Sequence, residues 1–101
     1  MGIDVAVSGV TAIINIVGRF DFNLQRNFKS SYDSILIKEG VSCIDVNLAG
    51  VDYLDSSALG MLLMLRERAL VAGKTIQLSK PTSSVAQVLE IANFGKLFTI
   101  V

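Results

Sequence analysis

From Ile3 to Ser8 the chain alternates, with Ile3, Val5 and Val7 set against Asp4, Ala6 and Ser8. A two-residue period of this kind predicts a strand with one buried face. Ser8-Gly9 is a turn signal and Val10–Val17 is rich in β-branched residues, so the opening stretch predicts a hairpin. Gly18-Arg19-Phe20-Asp21 breaks the pattern, and Asn23 is a suitable helix cap. Leu24, Phe28, Tyr32, Ile35 and Leu36 then fall at helical spacing, with Gly40 where a helix ends. Ser42–Leu48 returns to alternation, placing Ile44, Val46 and Leu48 on one face and Cys43, Asp45 and Asn47 on the other. A helix is predicted from the Asp55-Ser56-Ser57 turn to about Ala72, closed by Gly73. Lys74–Ser79 predicts a strand. Pro81 with Ser83 or Ser84 opens a helix carrying Val85, Val88, Leu89 and Ala92, Asn93-Phe94-Gly95 is a loop, and Leu97–Val101 is a last strand.

The order β-β-α-β-α-β-α-β predicts an α/β fold. Right-handed crossovers give a mostly parallel sheet of about five strands, with the first strand antiparallel. Parallel strands covered on both sides read as unbroken apolar runs. Ser42–Leu48 and Lys74–Ser79 alternate instead, so the helices are expected mainly on one face with the other partly open. No linker or internal repeat divides the chain, and residues 1–101 read as a single domain.

Composition narrows the function by exclusion. Hydrophobic residues make up 51% of the 101, enough for a core without metal or disulfide staples. Nine basic and nine acidic residues cancel and no basic cluster occurs, so no nucleic-acid or membrane partner is expected. The most apolar run, Ala58–Leu65, is far short of the roughly 20 residues that span a bilayer. No secretory leader is evident, and Cys43 is the only cysteine; a cytoplasmic setting is expected, with Cys43 a structural thiol. There is no histidine, which removes the commonest general base and metal ligand. Asp4, Asp45, Asp52 and Asp55 lie on separate elements, which suggests no metal cage, and no phosphate-cradling glycine motif occurs; no cofactor is expected.

The candidate chemistry sits at Leu54-Asp55-Ser56-Ser57-Ala58-Leu59-Gly60, where a strand hands over to a very apolar helix. Asp and Ser are the residues that cap helices, and capping alone explains most such turns. Two serines are one more than a cap needs, and neither is followed three residues on by Glu or Gln. A helix start also accommodates an anion, so a hydroxyl there suits phosphorylation.

Asp55-Ser56-Ser57-Ala58-Leu59-Gly60, after Val46-Asn47-Leu48 and Val51-Asp52-Tyr53-Leu54, resembles the signature of the STAS domain, in particular the stand-alone bacterial anti-sigma factor antagonists. Gly18-Arg19-Phe20-Asp21 and Phe94-Gly95-Lys96-Leu97-Phe98 resemble two further turns of that family. The resemblance implies a regulator rather than an enzyme. Ser56 would be phosphorylated by an anti-sigma-type serine protein kinase that supplies ATP and Mg²⁺. The unmodified form would bind that kinase and release its captive partner, and a PP2C-like phosphatase would reset the switch. It further implies Asp55 as the acidic neighbour, Ser57 as a secondary phosphorylation site or helix cap, and Asp21 as part of the partner surface. The output would be a freed sigma factor, or alternatively control of biofilm or secretion. Ala58 departs from the family's usual glycine.

Met61–Leu65 is apolar nearly all round, which fits a deeply buried helix. Met61, Met64 or Leu65 left exposed would instead meet a partner, for which Met is adaptable. The oligomeric expectation is a monomer or weak dimer. From a different class, a small serine hydrolase using Ser56 or Ser57 lacks a histidine and a Gly-x-Ser-x-Gly turn. A third reading is a scaffold whose serine turn only caps.

Overall fold

A computed structural model describes residues 2–101. Five strands form one sheet in the order β1-β2-β3-β4-β5: Gly2–Ser8, Thr11–Phe20, Cys43–Leu54, Thr75–Ser79 and Thr99–Ile100. β1 is antiparallel to β2, and the remaining neighbours are parallel. Helices α1 (Gln25–Leu36), α2 (Ser56–Val71) and α3 (Ser83–Ile91) occupy the three crossovers. This is the predicted α/β architecture.

The alternation predicted for the strands decides the core. Ala12, Ile14 and Ile16 of β2 and Ile44, Val46 and Leu48 of β3 are fully buried, beside Leu78 of β4. α1 lies against α2 and the β1–β2 edge, α2 reaches β3 and β4, and α3 packs on β3. The opposite face of β2 and β3 carries Thr11, Ile13, Asn15, Cys43, Asp45 and Asn47, all half-buried. Phe20 packs on Phe28 and Phe28 on Tyr32, with ring centroids 5.1 and 5.4 Å apart, tying α1 to the end of β2.

Three strands differ in extent from the sequence expectation. β2 continues through Gly18 to Phe20, and β3 runs on past Leu48 to Leu54. The continuation depends on two register shifts, the second of which leaves Asp52 unpaired between the partners of Gly18 and Arg19; the first is a bulge. Asn15 pairs with Asn47 but Val17 pairs with Gly50, so β3 carries an extra residue opposite Ile16. Asn47 organises it: its amide Nδ2 donates to Asn15 Oδ1 (2.9 Å), and its Oδ1 accepts from the Ala49 N–H (3.0 Å). Gly50 is needed there, because a Cβ would sit 3.0 Å from the Ile16 carbonyl oxygen and from Val17 Cγ2. Beyond the bulge Val51 and Leu54 turn into the core, which brings Asp55 to the end of the strand. The last strand is only Thr99–Ile100, because Phe94–Lys96 winds into a 3-10 turn that buries Phe94 against Phe98.

Candidate functional site

The strand ends set the site. Phe20 is in register with Leu54, so Asp21 and Asp55 follow them at the same end of the sheet. Each aspartate starts a helical segment. Asp55 is extended (φ −114°, ψ −176°) and its Oδ1 accepts from the Ala58 N–H at 3.0 Å. Asp21 is likewise extended and accepts from the Asn23 N–H at 3.0 Å, beginning a 3-10 turn, Phe22–Leu24, that leads into α1. Two expected caps are thereby corrected. Asn23 lies inside the 3-10 turn and the cap is Asp21, while Ser57 lies inside α2 and the cap is Asp55. Capping requires extended backbone, which neither Asn23 nor Ser57 has.

Asp55 leaves the serines free. Ser56, first residue of α2, is exposed, and Ser57 is half-buried. Among the described residues neither hydroxyl takes part in a hydrogen bond. Ala58 is fully buried, so the methyl that distinguishes it from glycine points into the core rather than to the turn surface.

Arg19 escaped notice in the sequence. Its guanidinium lies 3.9 Å from the Tyr53 ring centroid, and its Nε is 3.4 Å from Asp21 Oδ2. Residues 19 and 53 meet because β3 carries a second extra residue, Asp52, between the partners of Gly18 and Arg19, which no sequence period reveals.

Beside the turn, α1 and α2 enclose a cavity of about 470 Å³. Ser57, Gly60, Met61, Met64 and Arg68 line it from α2; Phe22, Gln25, Phe28, Lys29 and Tyr32 face them. The expected apolar surface is thus divided. Met64 is 49% exposed, Met61 is buried at the cavity wall, and Leu65 is fully buried and available to no partner. Phe22, largely exposed, joins Met64 on this surface. Burial raises the Tyr32 phenol above the ordinary tyrosine value, partly opposed by the nearby Arg68 cation. No cluster of His, Cys, Asp or Glu among the described residues could hold a metal, and no helix is long and apolar enough to cross a membrane.

Residues 3–101 match the family model described as Mlab, STAS domain. A STAS-domain containing protein of Pseudomonas aeruginosa is 39% identical over 95 residues, covering 94% of this chain and 92% of that protein. The anti-sigma F factor antagonist of Lysinibacillus sphaericus is 29% identical over 90 residues, covering 88% and 76%. The anti-sigma factor antagonist SpoIIAA in its unphosphorylated form superposes with a TM-score of 0.75 at 16% identity, over 99% of this chain and 87% of that one. The match to the family over nearly the whole chain, on a sheet and helix order shared with a known antagonist, makes this protein a member of the STAS domain family with anti-sigma factor antagonists among its relatives.

Proposed function

We propose that this protein is a phosphorylation-controlled partner switch. Unphosphorylated, it binds an anti-sigma-type serine kinase and frees that kinase's captive partner; phosphate on Ser56 ends the binding, and a PP2C-like phosphatase restores it. One observation carries the reading: Asp55 does the capping, leaving the Ser56 hydroxyl exposed and unengaged at the first residue of α2. A relative named as an anti-sigma F factor antagonist supports it. So does the shared fold of SpoIIAA, described in both unphosphorylated and phosphorylated forms.

The chemistry follows from that position. The kinase brings ATP and Mg²⁺, its base takes the hydroxyl proton, and Ser56 Oγ bonds to the γ-phosphorus as the bond to the bridging oxygen breaks and ADP leaves. Nothing at the turn itself activates a nucleophile: the chain has no histidine, and neither hydroxyl meets a base. The product adds about −1.5 to −2 charge at an exposed contact surface. The start of α2 tolerates an anion, so the fold survives. Asp55 and Asp21 share that end of the sheet, with Arg19 held against Asp21, so the added phosphate makes the surface net acidic and a partner selected for the neutral hydroxyl is lost. Phe22, Ser57 and Met64 form the adjoining contact surface.

Titration calorimetry with the cognate kinase tests this. Ser56→Ala should bind about as tightly as wild type and take up no label from γ-labelled ATP. Ser56→Asp should weaken binding by at least about tenfold, or 1.4 kcal/mol, with an unchanged circular dichroism spectrum. Equal binding by Ser56→Asp and wild type would overturn the proposal.

A further inference from the structure

The outer edge of the sheet is formed by β1, seven residues long, regular, and paired only on its β2 side. Natural edge strands are usually protected by lysine, proline, a bulge or a covering segment. β1 reads Gly-Ile-Asp-Val-Ala-Val-Ser and has none of the first three; Asp4 is its one charge. Register with Ile16, Ile14 and Ala12 puts Ile3, Val5 and Val7 on the helix side of the sheet, yet Val5 and Val7 remain 39% and 48% exposed. The backbone edge and the apolar side chains beside it therefore lack partners together.

We infer that this edge pairs with the same edge of a second copy, antiparallel, about a two-fold axis through Val5 and perpendicular to the sheet. Such an axis keeps each face on its own side, so only residues of equal parity meet. Three registers pair five or more residues of the strand. An axis at Asp4 opposes the two aspartates, which repel. An axis at Ala6 pairs only residues 4–8. An axis at Val5, with residue numbers summing to ten, pairs every residue from Gly2 to Ser8. Val5 then meets Val5 of the second copy and Ile3 meets Val7, continuing the apolar stripe across the joint. Asp4 meets the small, neutral Ala6 on the other face. The adjoining flank of α1, turned away from α2, carries Asn27, Ser31 and Ser34. The Ser31 and Ser34 hydroxyls donate to carbonyls of their own helix, at 2.7 and 3.1 Å, so the flank brings no unpaired charge to the joint.

One strand a side is below the roughly 1,200 Å² of stable complexes, so the dimer is reversible and concentration-dependent. It leaves both Asp55-Ser56-Ser57 turns free, at opposite ends of a ten-stranded sheet. The inference does not rest on the switch: Ser56→Ala and Ser56→Asp should associate as wild type does.

Sedimentation equilibrium from micromolar to millimolar concentration should show a monomer–dimer equilibrium that Val5→Lys abolishes. Ala6→Lys, which sets a cation opposite Asp4 of the second copy twice over, should tighten it about two- to thirty-fold. Ala6→Glu should weaken it comparably; position 6 is exposed, so these variants report even where Val5→Lys fails to fold. In a Cys43→Ser background, Val5→Cys should oxidise to a covalent dimer, with Cα atoms ~4.5–5.5 Å apart, while Asp4→Cys, across a diagonal of ~7–8 Å, should not. A monomer at every concentration, Ala6→Lys and Ala6→Glu acting alike, or cross-linking at position 4 in place of 5 would each overturn the inference.

Discussion

Asp55 and Ser56 are chain neighbours with separate duties, and the separation comes from backbone conformation. The extended aspartate directs its carboxylate at the Ala58 N–H, while the serine, already helical, directs its hydroxyl to solvent. Asp55→Ala removes a cap and should lower stability by about 1 kcal/mol, whereas Ser57→Ala should leave it nearly unchanged; urea unfolding of the two variants checks the assignment. That an acid and two serines lay at a helix start was legible in the sequence. Which of them capped was not, since both residue types cap well. Tyr32 gives a second test at this scale. Its phenol is raised by burial, so the folded state holds the proton more tightly than the unfolded chain does. That contribution is complete below the unfolded value near pH 10 and is lost as pH rises through the folded one. The melting temperature of wild type should therefore fall more steeply above about pH 10 than that of Tyr32→Phe.

At the scale of elements, the bulge in β3 matters more to the site than any helix. Without the extra residue at Leu48-Ala49, the strand would present the opposite side of each later residue. Gly50→Ala should cost about 1–3 kcal/mol, since its Cβ meets backbone as well as a side chain. Chemical denaturation measures that loss, and a shift of the Ser56 amide resonance would show that the turn moves with it. The strands and helices themselves followed from hydrophobic period, down to the buried Ile44, Val46 and Leu48. Their ends did not. β3 outran its alternating stretch because two register shifts reset the side-chain period, and the final strand shortened because Phe94 and Phe98 pack together in a turn.

Across the whole molecule, the serine turn and the unpaired β1 edge lie on different parts of the sheet. The carboxyl ends of β2 and β3 gather Asp21, Asp55, Ser56 and Arg19 beside the α1–α2 cavity. The β1 edge lies along the side of the sheet and away from that turn, so the self-association and the partner switching proposed above would use separate surfaces. A bound kinase at one end and a second copy at the edge are compatible. Within α2, Leu62 and Leu65 belong to the core and Met64 is left to the surface.

The sequence alone determined what local chemistry and period can encode: an α/β order, one buried face per strand, and the acid-serine-serine turn before an apolar helix. Tertiary structure decided what depends on residues distant along the chain. It placed Asp21 beside Asp55 through the pairing of Phe20 with Leu54, set Arg19 on Tyr53, and opened a cavity between α1 and α2. It divided Met61, Met64 and Leu65 between wall, surface and core. The physical reason is that a repeat along the chain fixes which side of an element is apolar, whereas register and packing between elements fix what that side, and the side opposite, will meet.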